Sequence, residues 1–179
     1  QTADIDAAYL ELQLKAISEG TVTITDEQMD SLASNYFVTR LENDPAHGPA
    51  AFIVRDSIIY DVPKGYQILF GDSSYITTQP YTVYPTTTPG IDFSDPGNIR
   101  LQTIYDQATG SNYRFELPFV CEQNGAEGIR VSGEVFTATN PLPSLQRIEA
   151  AGSYAGGTTR ETNAELAARC MSGMVVKSL

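Results

Sequence analysis

Apolar positions recur at helical spacing over the N-terminal part of the chain and at strand spacing afterwards. In TADIDAAYLELQLKAISEG, Ile5, Tyr9, Leu12 and Ala16 form one stripe and Leu10, Leu14 and Ile17 a second, before Gly20 supplies a stop. A helix apolar on two sides needs two neighbours, one of which can be another subunit. The next helix carries its own start signal: Thr25 and Gln28 fit a capping box, and Ile24 with Met29 a hydrophobic staple. Met29, Leu32, Ala33, Tyr36, Phe37 and Leu41 give its inward face, and NDPAHGP, with two prolines and a glycine, ends it.

From Ala50 the pattern shifts to β-branched and aromatic runs separated by Pro, Gly, Asn and Asp. The predicted strands are AFIVRDSIIY, GYQILFG, SYITTQPYTVY, IDFSD, IRLQTIYD, YRFELPFV and GIRVSGEVFTA. PLPSLQRIEAAGSYAGGTTR reads as an irregular loop, NAELAARCM as a short helix, and MVVKSL as an edge strand. The expected fold is therefore α+β: N-terminal helices packed on a mainly antiparallel β-sheet, with a disulfide-tied C-terminal region. It is read as one domain over residues 1–179, divided into a helical part (1–42), an antiparallel part (50–139) and a loop with a short C-terminal helix (140–179).

Composition narrows the class of partner. The chain has 179 residues, 41% of them hydrophobic, enough for one core, and a net charge of −11. That field repels phosphate backbones and anionic headgroups, so neither nucleic acid nor a membrane surface is an expected partner. Gln1 is not an initiator residue and implies processing upstream. Cys121 and Cys170, an even pair, agree with export and suggest one disulfide, with two buried free thiols as the alternative. Such a bridge would contribute on the order of 4 kcal/mol in the chain-entropy account. The expected location is extracellular or at the cell surface, or periplasmic.

Candidate catalytic chemistry is thin. QILFGDSSY resembles the first block of the GDS-type esterases, which would make Ser73 a nucleophile. A base far downstream is required, and the single histidine, His47, precedes Ser73. GDSS is better read as a turn leaving a strand. His47 stands in a Pro/Gly loop without companions for a zinc site. Asp92, Asp95 and Asp106 flank turns but lack the EF-hand pattern. Tyr66, Tyr75, Tyr81, Tyr84, Tyr105 and Tyr113 populate the strand region, where core packing competes with a role in a glycan- or protein-binding face. No catalytic, cofactor-binding or metal-ligating residue is singled out.

Four segments, in order, carry a family likeness: LELQLKAISEGTVTI, VPKGYQILF, IDFSDPG and GIRVSGEVF. A helix leading into a strand, then Gly-aromatic-x-apolar and a closing strand, resembles type IV minor pilins and the type II secretion pseudopilins. The resemblance implies a non-enzymatic extracellular structural subunit of a surface filament or secretion system. Its partners would be subunits of the same or a related type, with Ile5, Tyr9, Leu12 and Ala16 as interface candidates and Cys121–Cys170 closing the head. A secreted module that binds a glycan or protein, and a processed virion or assembly component, are the competing readings.

Overall fold

The computed structural model describes residues 2–106 and 110–178, and the side chains of 9–105 and 112–173. Two compact units emerge, one from residues up to 42 together with those from 159 onward, the other from residues 43–158.

The first unit is helical: α1 (Thr2–Ser18), α2 (Asp26–Ser34) and α3 (Asn163–Ser178). Thr25 caps α2 as its sequence predicts, accepting from the Gln28 N–H at 3.1 Å while the Gln28 side chain accepts from the Thr25 N–H at 3.0 Å. Thr162 and Glu165 repeat the arrangement before α3, each backbone N–H bonded to the other's side chain at 3.2 Å. Leu14 and Ile17 of α1, Met29 and Ala33 of α2, and Leu166, Ala167 and Cys170 of α3 form one buried cluster. The helices thus bury their apolar residues against one another. α2 is shorter than its apolar pattern predicts: the chain turns after Ser34, Phe37 takes a positive φ of 58°, and Val38 N–H closes back on the Ala33 carbonyl.

The second unit holds nine strands: β1 (His47–Val54), β2 (Tyr60–Val62), β3 (Gln67–Phe70), β4 (Ser73–Ile76), β5 (Tyr81–Pro85), β6 (Asn98–Asp106), β7 (Gly110–Cys121), β8 (Val135–Ala138) and β9 (Leu145–Ala150). Six of them close an antiparallel barrel in the order β1-β9-β8-β3-β4-β7, because β7 pairs back onto β1. Closure gives each of those strands a neighbour on both sides along at least part of its length. β6, β5 and β2 extend from β7 as a side sheet, in which β5 and β6 run parallel. Phe52, Phe115, Phe119, Tyr66, Tyr75 and Phe136 lie in the barrel unit's core, with Phe52 meeting Phe115 edge-on at 4.9 Å between centroids.

These findings correct the expected fold. The protein is mostly β and built around a closed barrel; it is not a set of helices laid on an open antiparallel sheet. Leu145–Ala150, expected as loop, is barrel strand β9, and the C-terminal segment expected as an edge strand continues α3 as far as Ser178. IDFSD is a turn, held where Asp92 Oδ1 accepts from the Ser94 N–H at 3.0 Å and from its hydroxyl at 2.6 Å.

The expected Cys121–Cys170 disulfide is absent: both thiols are free and buried. Each occupies the apolar core of a different unit, where a small hydrophobe fits. Cys121 is packed so closely that a Cβ on Gly128 would come within 2.8 Å of its sulfur.

Candidate functional site

The two stripes of α1 meet different fates. Leu14 and Ile17 are buried, whereas Tyr9 and Leu12 are 61% and 68% exposed and Ala16 is half-buried. The side chain of Ile5 lies outside the described ones. One stripe therefore builds the helical core and the other points to solvent. In the same unit, Gln13, Ile17, Val22, Ile24, Gln28 and Leu32 line a groove of about 240 Å³, mostly apolar and open at the surface.

Charged groups fix the frame that carries this face. Arg40, buried at its side chain, reaches Asp30, the Glu161 carbonyl and Asn163. Arg169 grips both carboxylate oxygens of Glu161, at 2.9 and 2.7 Å. That guanidinium, hydrogen-bonded to Glu161, holds the carboxyl below the usual glutamate range, with the Leu41 N–H adding to the effect.

The residues weighed for catalysis occupy structural positions. Gly71 and Asp72 make the two-residue turn of the β3–β4 hairpin, with Gly71 at φ 56°, and Ser73 opens β4 opposite Phe70. The His47 ring meets the Pro45 carbonyl through Nδ1 at 3.1 Å. Asp95 Oδ1 accepts from the Gly97 N–H at 2.9 Å, and the side chain of Asp106 lies outside the described ones. Among the described residues, no three of His, Cys, Asp and Glu gather as a metal ion would require, and no helix is long and apolar enough to cross a membrane.

Of the tyrosines, Tyr66, Tyr75 and Tyr81 are buried, Tyr84 and Tyr113 half-buried, and Tyr105 is 80% exposed. The hydroxyls of Tyr66 and Tyr75 donate to the carbonyls of Asn140 (2.8 Å) and Gly128 (2.6 Å). Burial pushes both phenols above their ordinary pKa, so they serve the core as neutral donors.

Sequence reasoning missed a polar cleft on the side sheet. Phe93, Asn98, Ile99, Arg100, Gln102 and Glu116 line about 330 Å³, and the Arg100 guanidinium lies 4.0 Å above the Phe93 ring. The alternation of Asn98, Arg100 and Gln102 along NIRLQTIYD is a readable signal that these share a face. Their meeting with Glu116 depends on strand pairing that no local pattern encodes. The chain matches no protein-family model and no curated protein sequence.

Proposed function

We propose that the protein is a non-enzymatic structural subunit that assembles with like chains through α1. The observation that carries this reading is the outward stripe: Tyr9 and Leu12 stand in solvent on a helix whose opposite face already completes the core. Large apolar side chains side by side on a helix are a usual mark of a helix-in-groove contact. The same unit holds an apolar groove of about 240 Å³, so one copy supplies both a protruding surface and a recess. Copies carrying −11 each repel at long range, so added salt should strengthen assembly. Placement in a surface filament or pseudopilus rests on the motif resemblance alone, and the two free thiols lend no support to an oxidising compartment.

Sedimentation velocity of the full chain over a range of concentrations, at low and moderate salt, tests the proposal. Wild type should self-associate, and Leu12→Glu should remain monomeric with an unchanged melting temperature, since surface changes usually cost within about 0.5 kcal/mol. A wild type that stays monomeric throughout, or a Leu12→Glu variant that assembles normally, would refute it.

A further inference from the structure

Strand β7 is shared by three neighbours. Its residues 113–120 pair with β1 along one edge, while the other edge meets β6 at 110–114 and β4 at 120–121. Among the described residues no strand pairs with that second edge in between. The sequence supplies a reason. The Cys121 N–H donates to the Ala46 carbonyl at 2.7 Å, so the alternate residues Phe119 and Leu117 also turn their backbone groups toward β1. Pro118, opposite Pro49, therefore turns its nitrogen to the second edge, and proline has no hydrogen there to donate. A ladder cannot run through that point. β6 instead pairs with β5 over Asn98–Leu101, and the strands part to form the 330 Å³ cleft.

The cleft lies on the outer face. Phe115, Leu117 and Phe119 are buried, and Arg114 and Glu116 alternate with them toward solvent. Arg114 Nη2 sits 2.6 Å from Glu116 Oε1, so the wall carboxylate is already neutralised. Arg100 stacks on Phe93, which meets Tyr84 edge-on at 6.4 Å, and among the described residues no carboxylate pairs with it. Asn98 Nδ2 donates to the Asp92 carbonyl at 3.0 Å and ties down the loop that carries Phe93. One unneutralised, oriented cation thus faces an unpaired strand edge in a chain of net charge −11.

We propose that this fork binds an extended acidic peptide segment. The segment adds a short strand along the open edge at Glu116, whose N–H and carbonyl face the cleft, and places a carboxylate on Arg100. A guanidinium held flat offers paired N–H donors that match a carboxylate. Strand addition accounts for the backbone edge, and side-chain alternation brings the next outward residue of the segment toward Gln102. A sugar fits less well: the one aromatic face in the cleft is covered by Arg100.

The test is fluorescence anisotropy of the full chain with a short fluorescein-labelled peptide alternating valine and glutamate. The comparisons are the same peptide with lysine for glutamate, and an oligogalacturonate competitor. Saturable binding of the glutamate peptide, weakened about tenfold by Arg100→Gln, is expected, because a charge-assisted hydrogen bond carries roughly that much. Circular dichroism should show Arg100→Gln folded as wild type. No saturable binding at millimolar protein, equal binding of the lysine peptide, or unchanged affinity in Arg100→Gln would overturn the proposal. So would an oligogalacturonate that binds through Arg100 where the peptide does not. Leu12→Glu should bind the peptide as wild type does, which separates this site from the α1 face.

Discussion

Arg40 Nη1 donates to the carbonyl of Glu161 at 2.6 Å, joining the segment after α2 to the residues that lead into α3. The same guanidinium sends Nε to Asp30 Oδ1 at 2.7 Å and Nη2 to Asn163 Oδ1 at 2.6 Å. Three acceptors, one on α2 and two at or just before the start of α3, are thereby held by one planar group whose side chain is 3% exposed. Arg40→Met should cost the helical unit about 2–4 kcal/mol, since charge-assisted bonds are lost and a buried carbonyl is left without its partner. Arg40→Lys should recover little of this, because an ammonium cannot span three acceptors in one plane. Urea unfolding followed by far-UV circular dichroism measures both.

Glu161 makes stability depend on pH in a defined direction. Its carboxyl is held below the ordinary glutamate value by the Arg169 hydrogen bonds, so the folded state prefers the ionised form. The resulting stabilisation is fully present above the ordinary value of about 4.3 and is lost as pH falls toward the folded one. Glu161→Gln lacks this contribution. The gap in melting temperature between wild type and Glu161→Gln should therefore shrink between about pH 5 and pH 3. A constant gap would show that Glu161 acts only through packing.

Both cysteines should behave as shielded thiols. Cys121 and Cys170 are 2% and 1% exposed, and burial pushes the Cys170 thiol above its ordinary pKa, away from the reactive thiolate. A thiol-reactive chromophore should label native protein slowly. Denatured protein, never treated with reductant, should give two thiols per chain, as the free pair requires. A count of zero without reductant would restore the bridge.

Gly48 and Tyr154 are in tight contact across the isolated bridge of His47 and Ala155. A Cβ at Gly48 would stand 2.2 Å from Tyr154 Cδ1, so Gly48→Ala must displace a buried ring that also stacks on Phe136. Overpacking of this kind costs about 1–3 kcal/mol. Tyr154→Phe should do the opposite. Its hydroxyl is buried with no hydrogen-bond partner among the described residues, so deleting it should raise stability by about 1 kcal/mol. Thermal unfolding of the two variants checks the pair of opposite signs.

Local chemistry was written plainly in the chain. The Thr25–Gln28 box is a contact between near neighbours, and the structure forms it at the predicted place. Thr162-Asn-Ala-Glu165 spells the start of α3 in the same terms. The outward placement of Tyr9 and Leu12 was half legible: two stripes could be seen on α1, but which one faces solvent depends on where α3 packs. Leu145–Ala150 shows the limit from the other side. Its run of Gln, Arg and Glu reads as surface loop, and it becomes a strand because β1 and β8 supply its hydrogen bonds.

What the sequence by itself determined were features set by residues a few positions apart: helix starts, the Gly71–Asp72 turn, the alternation of β6, the acidic charge. Tertiary structure alone decided the rest. The barrel closes because β1 pairs with β7 and β9, segments far away in the chain, and registers of that kind are chosen by joint burial of aromatic residues from several strands. The thiols stay free because each fills the core of its own unit. The fork exists because Pro118 interrupts an edge that two strands share, a consequence that appears only once those strands lie side by side.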